Sequence, residues 1–323
     1  MRTVMEIGVD TGGTFTDLVG RVSGQPDITL KVSSTPDDPS QAVITGIARL
    51  LELSGTDPGQ VARVVHGTTV ATNAVLERKG ARTGLIATRG FGDVLEIGRM
   101  IRTALYDLEL EPETPVFLAP GERRKEIIER VDANGEIIDA LDEASAINAA
   151  DELVQLGCQS IAVSLLFSFL NPTHELRVRE IIAERHPHIT VSLSHEVDPA
   201  FREYERTVVT AFDAYTKPVL SRYLRRMQDE LEASGVGSPL QVMQSRGGVS
   251  AAATAARRPV RLFLSGPAAG VIGGAQTGVE AGLDNLITVD IGGTSCDVCL
   301  ITGGLPQTTV KGTSEFSVDG LPL

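Results

Sequence analysis

The chain has 323 residues, enough for about two domains, and 42% of them are hydrophobic, as in a folded protein with a sizeable core. Its net charge of −13 argues against nucleic acid or an anionic membrane as a partner, since both bind basic surfaces. Three cysteines are too few for a disulfide framework and indicate the reducing cytoplasm, and from the pattern of residues 1–10 we expect no signal peptide.

The first half of the chain alternates between helical and strand patterns. Apolar residues recur at helical spacing in some segments, and β-branched runs bounded by turn residues lie between them. The predicted elements are helices at 40–54, 69–79 and 145–156, strands at 61–65, 83–87 and 160–169, a connector at 112–120 and a tight turn at 132–135. This alternation predicts an α/β fold. Residues 160–170 form the longest nearly uncharged apolar stretch, and they are too few to cross a bilayer.

Residues 201–233 carry one long helical pattern that contains Pro218. Proline has no amide hydrogen and its ring clashes with the preceding turn, so we expect a kink or a break at this position. Residues 265–275 then begin with Ser265, Gly266 and a proline, and continue with glycine and alanine. A proline in the first turn favours a helix start, and small residues allow another element to approach closely. A hinge helix and plain tight packing both explain this segment.

An internal repeat links the two ends of the chain. Residues 7–18 (IGVDTGGTFTDL) match residues 287–298 (ITVDIGGTSCDV). Each copy reads as an apolar strand, an aspartate, a Gly-Gly-Thr turn and a second strand that carries another aspartate. The repeat is far too long for a solenoid, so we expect a two-lobed protein with one hairpin at the start of each lobe.

A Gly-Gly-Thr hairpin suits the phosphates of ATP. Glycines let the backbone approach a triphosphate, and the amides and threonine hydroxyls around the turn donate to phosphate oxygens. Asp10 and Asp290 are the predicted catalytic residues, because they can hold Mg²⁺ directly or through water, or orient an attacking oxygen. The predicted nucleotide-binding residues are Thr11, Gly12, Gly13, Thr14, Thr16, Asp17, Gly266, Gly292, Gly293, Thr294 and Ser295. A single such motif is more often a plain hairpin turn, but two matching copies favour ATP. Asp17 and its counterpart Asp297 also suit hydrogen-bonded turn positions.

Two further motifs are ambiguous on residue chemistry alone. His66 follows a predicted strand and precedes a helix, a position where α/β proteins often bind ligands, but residue chemistry alone favours a partly buried, hydrogen-bonded histidine. Thr68 suits a helix cap. Cys296 and Cys299 spell C-x-x-C, yet the strand pattern places them on opposite faces and a second cysteine pair is lacking. We therefore interpret them as small thiols and expect no metal or iron–sulfur cluster.

Five motifs taken together identify a family. They are residues 10–17 (DTGGTFTD), 66–73 (HGTTVATN), 202–207 (REYERT), 265–270 (SGPAAG) and 290–294 (DIGGT). In this order they resemble the ATP-binding A subunit of the hydantoinase/oxoprolinase family, whose relatives include 5-oxoprolinase, N-methylhydantoinase and acetone and acetophenone carboxylases. The resemblance covers the whole chain. It implies an actin-like (ribonuclease H-like) ATPase fold, ATP and Mg²⁺ as cofactors, and His66, Thr68, Thr69 and Asn73 as substrate-site residues.

The resemblance also implies an activity and a partner. Such a subunit phosphorylates a carbonyl oxygen of a cyclic amide or ketone, and a B-type subunit or fused B domain completes hydrolysis or carboxylation, so we expect a hetero-oligomer. We expect an N-terminal domain at 1–185, the remainder of the first lobe with the long helix and hinge helix at 186–286, and the start of a second lobe, incomplete here, at 287–323. Family members extend further, so we also expect that this chain alone has little ATP turnover.

Three alternatives remain open at this level. A ketone carboxylase subunit would share the same hairpins. A sugar or small-acid kinase of the same fold would transfer phosphate to a hydroxyl group. A nucleotide-binding subunit without turnover would bind ATP and release no phosphate.

Overall fold

The computed structural model describes residues 4–35, 38–100, 114–291, 296–307, 317–318 and 321–322. The protein is an α/β structure with mixed sheets. Its strands are β1 Met5–Thr11, β2 Phe15–Val22, β3 Ile28–Ser33, β4 Val61–Thr68, β5 Thr83–Thr88, β6 Arg124–Ile127, β7 Arg130–Val131, β8 Ile137–Asp139, β9 Ser160–Ser164, β10 Thr190–Leu193, β11 Leu240–Met243, β12 Val249–Ala251, β13 Leu286–Ile291, β14 Cys296–Thr302, β15 Leu305–Pro306, β16 Ser317–Val318 and β17 Leu321–Pro322.

The helices confirm most of the predicted α segments. They are α1 Pro39–Ser54, α2 Val70–Leu76, α3 Val94–Ile97, α4 Glu143–Gln155, α5 Thr173–Arg185, α6 Ser194–Val197, α7 Glu203–Ala233, α8 Ala252–Ala255 and α9 Ser265–Glu280, with short 3-10 helices at Pro58–Gln60, Gly121–Arg123 and Pro259–Leu262. Gly55, at φ 64°, ends α1 in the left-handed conformation that glycine adopts without strain. No helix in the described part of the chain combines the length and apolarity that a bilayer span requires.

The chain forms two compact units. The first comprises Met1–Asn73 and Leu220–Val310, and the second comprises Ala74–Val219 and Lys311–Leu323. The domain boundaries expected at 185/186 and 286/287 stay predictions. The connector predicted at 112–120 lies partly outside the described residues, whereas the turn at 132–135 is present.

The first unit is built on a six-stranded sheet in the order β12-β11-β4-β1-β2-β3. β1 runs antiparallel to β2 and parallel to β4, and β2 runs antiparallel to β3. Burial alternates strictly along β1 and β2, so one sheet face is buried and the other is exposed. α1 covers the buried face, where Ile7, Leu18, Ile47 and Leu50 are almost without solvent contact. Apolar burial on this face therefore fixes the register of the first hairpin.

The first unit also contains a three-stranded sheet in the order β13-β14-β15. Helix α9 packs on one of its faces through small residues. A β-carbon at Gly274 would lie 2.4 Å from Thr288 Cγ2, and one at Gly278 would lie 2.5 Å from Leu286 Cδ2. Only glycine permits this approach, so the small-residue segment acts at least as a tight packing surface.

The second unit contains a parallel four-stranded sheet in the order β10-β9-β5-β6. Helices α4 and α5 cover it, and their apolar residues join those of the strands in a core that includes Leu153, Ile161 and Ile182. β9 ends at Ser164, so the prediction of a strand to residue 169 was too long. The Glu175 carboxylate accepts the Leu165 amide at 3.0 Å, and this side-chain bond takes the place of a further strand pairing.

Helix α7 continues through Pro218 without interruption, contrary to the break allowed for in the prediction. Buried side chains on both sides of the proline, among them Tyr215 and Leu220, hold the segment in place. Packing of an apolar face contributes more to helix stability than local propensity does, which explains the outcome.

Candidate functional site

The first hairpin presents Asp10 and Asp17 side by side on the exposed face of the sheet. The two residues are direct cross-strand partners in the β1–β2 ladder. A tight turn joins the strands, with the Gly12 amide donating to the Phe15 carbonyl at 3.0 Å. Gly13 and Thr14 at its tip are exposed. The turn therefore offers backbone and a threonine hydroxyl to a ligand beside the two carboxylates.

Ser34, just after β3, braces this turn. Its hydroxyl donates to the Gly12 carbonyl at 2.7 Å, and its amide donates to the Thr14 carbonyl at 2.9 Å. Thr16 is buried and its hydroxyl lies 3.0 Å from that of Ser34. The structure thus places Thr16 under the turn and Thr14 at its surface. Nothing in the sequence pattern distinguished Ser34 from other loop serines.

The carboxyl group of Asp10 lies in an unfavourable electrostatic environment. Partial desolvation, followed by the negative charges of Asp17 and Asp290, raises the pKa of Asp10 above its ordinary value, and the cation of Lys31 opposes this effect. Like charges that share a site disfavour ionisation. A bound cation would relieve this repulsion, so the carboxylates fit a hard divalent ion such as Mg²⁺.

The second hairpin repeats this arrangement. Asp290 and Asp297 are direct cross-strand partners in the β13–β14 ladder, as Asp10 and Asp17 are in the first. Desolvation and the charge of Asp290 raise the pKa of Asp297. The predicted binding residues Gly292, Gly293, Thr294 and Ser295 lie outside the described residues. The effect of Asp290 on Asp10 shows that the aspartates of the two hairpins act on a common region.

The end of β4 and the start of α9 meet beside Asp10. A β-carbon built on Gly67 would lie 3.0 Å from Asp10 Oδ1, and one on Gly266 would lie 3.5 Å from the same atom. The Ser265 hydroxyl is buried and donates to the Thr68 carbonyl at 3.0 Å, which ties the helix start to the strand end. Leu264, immediately before the helix, has a strained φ of 54°. The site is thus lined by backbone as well as by carboxylates.

The residues predicted from the 66–73 motif divide into two groups. Thr69 donates its hydroxyl to the Thr11 carbonyl at 3.1 Å and so lies beside the first hairpin. Asn73 donates its side-chain amide to the Thr69 hydroxyl at 3.3 Å, and Thr68 accepts the Val70 amide at the start of α2. These contacts place Thr69 beside the first hairpin and show the Thr68 hydroxyl accepting the first amide of α2.

His66 is fully buried. Its Nε2 lies 2.9 Å from the Tyr223 hydroxyl on α7. Burial lowers the pKa of His66 to about 4, against an opposing backbone interaction with Val9. The structure therefore places His66 as a neutral, buried side chain beneath the strand ends, and a direct substrate contact stays a prediction. Tyr223 was visible in the sequence only as one apolar position of a long helical pattern.

Within the described residues, no three His, Cys, Asp or Glu side chains converge as a group that could hold a metal ion by themselves. Mg²⁺ commonly binds through one or two carboxylates, water and substrate phosphates, so the donor set fits the predicted ion held together with a nucleotide. Cys296 and Cys299 stand three positions apart on β14, and side chains three positions apart point to opposite faces of a strand.

Comparisons with known proteins agree with the motif analysis. The model of the hydantoinase/oxoprolinase N-terminal region matches residues 6–186, and the hydantoinase/oxoprolinase model matches residues 206–320. Caprolactamase subunit alpha of Pseudomonas jessenii is 36% identical over 317 residues, which cover 96% of this chain and 45% of the relative.

Two solved structures are also similar. The nucleotide-free structure of acetone carboxylase, which concerns ATP-dependent acetone carboxylation, has a TM-score of 0.84 at 30% identity. The match covers 94% of this chain and 45% of the acetone carboxylase chain. The crystal structure of the ATP-dependent caprolactamase from Pseudomonas jessenii has a TM-score of 0.82 at 34% identity, with coverages of 91% and 43%. The chain thus spans about half the length of the relatives that it matches.

Proposed function

Because the chain belongs to the hydantoinase/oxoprolinase family, we propose that it binds ATP and Mg²⁺ and takes part in phosphorylating the carbonyl oxygen of a cyclic amide for hydrolysis. The observation that carries this proposal is the matched pair of hairpins. Asp10 faces Asp17, Asp290 faces Asp297 in the same register, and the charge of Asp290 acts on Asp10.

We further propose that the scaffold is actin-like, of the ribonuclease H type. The six-stranded sheet supports this, since β3, β2 and β1 form an antiparallel meander and β4 and β11 continue it in parallel with β1. The second hairpin, with its own antiparallel third strand β15, repeats the beginning of that arrangement.

In this proposal the residues of the site have separate roles in binding the cation and the phosphates. Asp10 and Asp290 hold the cation through water or orient the reacting oxygen. The turn at Gly12, Gly13 and Thr14 donates to phosphate oxygens, and the amino-terminal end of α9 at Gly266 faces the phosphates with its positive dipole end. When bound, Mg²⁺ supplies positive charge that offsets the charge developing on the transferred phosphoryl group.

The proposed reaction begins with attack of the carbonyl oxygen on the γ-phosphorus of ATP. ADP leaves with the electron pair of the broken P–O bond, and the carbonyl carbon, now bearing a phosphate ester oxygen, becomes open to attack by water. A B-type subunit or fused B domain would complete the hydrolysis. The relative from Pseudomonas jessenii is named as a subunit alpha, which supports a hetero-oligomer.

A second candidate function is that of a ketone carboxylase subunit, favoured by the structural similarity to acetone carboxylase. The α-carbon of the ketone would then lose a proton, and the enolate oxygen would take the γ-phosphoryl group with ADP as the leaving group. Carboxylation of that carbon by carbon dioxide from bicarbonate would release the phosphate. With the partner subunit supplied, bicarbonate-dependent ATP turnover with ketones and none with cyclic amides would favour this candidate over hydrolysis.

The test of the proposed function is substitution of the paired aspartates. Asp→Asn keeps the size of the side chain and removes its charge. With the partner present, Asp10→Asn and Asp290→Asn should each lower kcat by at least about a hundredfold, because a carboxylate that positions the cation acts most strongly in the transition state. Asp27→Asn, at the far end of the sheet, is the control. Near-normal turnover in both folded variants would contradict the proposal.

A further inference from the structure

A row of residues crosses the sheet of the first unit at the level of Asp10. In the strand registers, Lys31 on β3 pairs with Asp17 on β2, Asp17 pairs with Asp10 on β1, and Asp10 pairs with Gly67 on β4. Asp10, Asp17 and Lys31 are all on the exposed face. Residues directly opposite each other lie about 5 Å apart, so this row brings one ammonium group within reach of the site.

The ion pair between Lys31 and Asp17 is short but exposed. Lys31 Nζ lies 2.7 Å from Asp17 Oδ2, and the two side chains are 56% and 51% exposed. Exposed ion pairs contribute about 0–1 kcal/mol. Lys31 can therefore leave Asp17 at little cost when a stronger anion arrives. Nζ also lies 5.1 Å from the centre of the Phe15 ring, and a cation–π contact at an exposed site contributes only about 0.5–1 kcal/mol.

The charge balance at the site calls for such a cation. Each hairpin places two carboxylates side by side, Asp10 with Asp17 and Asp290 with Asp297. A triphosphate adds further negative charge, and the repulsion between unit charges about 4 Å apart reaches several kcal/mol near a protein surface. Lys31 is the positive side chain of this row, paired with Asp17 in the ladder and through its ammonium group.

We propose that Lys31 is a phosphate ligand of this site. Its ammonium group exchanges the Asp17 carboxylate for a phosphate oxygen of the nucleotide, and no covalent bond changes. Asp17 then acts as the resting partner that holds Lys31 beside the hairpin in the free protein. This inference rests on the proposed ATP binding and adds to it a residue on β3, outside the repeated segments 7–18 and 287–298.

The contrasting explanation is that Lys31 only neutralises Asp17. A double-mutant cycle separates the two. Lys31→Met removes the cation and keeps the aliphatic stem, and Asp17→Asn removes the resting partner. If Lys31 binds phosphate, Lys31→Met should weaken nucleotide binding in the Asp17→Asn background as well as in the unmodified chain. If Lys31 serves only Asp17, Lys31→Met should have no effect in the Asp17→Asn background.

The experiment measures binding of a fluorescent ATP analogue with Mg²⁺ to the chain and to these variants, at two salt concentrations. We expect Lys31→Met to raise Kd about tenfold in both backgrounds, to reduce its salt dependence, and to be largely rescued by Lys31→Arg. Arg21→Met is the matched control. Arg21 pairs with the exposed Asp27 and lies four residues from Asp17 along β2, roughly 13 Å away.

The outcomes are distinct. An unchanged Kd for Lys31→Met in the Asp17→Asn background would overturn the role of Lys31 and leave the proposed function standing. An equal loss for Arg21→Met would also overturn it, because the effect would then come from net charge alone. An unmodified chain that binds no nucleotide would overturn both the role of Lys31 and the proposed function.

Discussion

Asp10 and Gly67 face each other across the parallel ladder of β1 and β4, and a β-carbon at position 67 would lie 3.0 Å from Asp10 Oδ1. The missing side chain of Gly67 therefore makes the space that the Asp10 carboxylate occupies. The backbone at Gly67 does not require glycine, since its φ is not in the left-handed region. Glycine is required at position 67 because a side chain there would crowd the Asp10 carboxylate.

Gly67→Ala should consequently displace the Asp10 carboxylate without unfolding the protein. We expect ATP turnover in the complete enzyme to fall severalfold, because the carboxylate must shift by a few tenths of an ångström and a misplacement of about 1 Å can cost about a hundredfold in rate. The measurement is the steady-state rate of phosphate release, with circular dichroism to check the fold.

Gly8→Ala provides the matched control for this change. Gly8 lies two residues before Asp10 on the same strand, and a β-carbon there would meet nothing within 4 Å. Gly8→Ala should leave turnover unchanged. Equal turnover in the Gly67→Ala variant would show that the position of the Asp10 carboxylate does not limit the reaction.

The raised pKa of Asp10 predicts a gain in stability when its charge is removed. A carboxyl group whose pKa is raised by folding keeps its proton in the folded chain after the unfolded chain has lost its own, so the free energy of unfolding decreases as the pH rises from 3.8 through the folded pKa. Asp10→Asn should therefore raise Tm at pH 7, and this gain should shrink as the pH falls through the folded pKa and should be lost below the ordinary pKa of 3.8. The test is thermal unfolding of both proteins between pH 3 and pH 7.

The increase in Tm on adding Mg²⁺ and a nucleotide tests the same electrostatic environment of Asp10 in a second way. MgCl₂ together with a nucleotide should raise Tm of the unmodified chain more than that of the Asp10→Asn variant, because ligands that bind only the folded state stabilise it. An Asp10→Asn variant that is less stable at pH 7 would contradict the assigned electrostatic environment.

The buried His66 predicts a loss of stability in acid. Its pKa of about 4 is below the ordinary 6.5, so the unfolded chain takes up a proton more readily than the folded chain in that interval. The contribution of His66 to the free energy of unfolding is present above pH 6.5 and is lost as the pH falls towards 4. The full difference is about 3 kcal/mol.

Urea unfolding at pH 7 and pH 4.5 measures this effect. The decrease in the free energy of unfolding from pH 7 to pH 4.5 should be smaller in His66→Gln than in the unmodified chain. His188→Gln, at an exposed position, should show the full decrease. An equal decrease in His66→Gln and the unmodified chain would contradict a neutral, buried His66.

Much of the fold was predictable from local patterns, and the hairpins most directly. The repeated spacing of two aspartates and a Gly-Gly-Thr turn predicted paired strands, and the registers Asp10–Asp17 and Asp290–Asp297 are those of two equivalent hairpins. The helices at 40–54 and 145–156 were also identified, since apolar residues at helical spacing and a terminal glycine are local signals.

The parts that could not be predicted depend on tertiary contacts. The end of β9 is set by the carboxylate of Glu175, ten residues further along the chain, and the continuity of α7 through Pro218 is set by burial on both sides. The surroundings of Asp10 come from three separate segments of the chain. Only the pairing of strands shows that Gly67, Lys31 and Ser34 lie beside the first hairpin. For His66, residue chemistry favoured a buried side chain, and only the family resemblance suggested a substrate contact.

The second hairpin exposes an apolar surface that predicts self-association. Ile287, Val289, Val298 and Leu300 share the face of β13 and β14 opposite α9, and they are 63%, 57%, 63% and 52% exposed. Ile287 pairs with Leu300 and Val289 with Val298, so the four side chains form a continuous stripe. Contiguous exposed apolar surface is typical of a region that associates with another protein surface. We expect the chain alone to associate at micromolar concentrations, as sedimentation velocity would show.

A charged pair in the centre of this stripe should abolish the association without disturbing the hairpin. In Val289→Lys combined with Val298→Glu, opposite charges face each other across the ladder, which favours strand pairing while it makes the surface polar. Val19→Lys, at an exposed valine of the first hairpin, adds charge elsewhere in the same unit and should leave the association unchanged. A monodisperse, thermally robust monomer in the unmodified chain would contradict the prediction, as would a double variant that associates to the same extent, because the stripe would then not drive the contact.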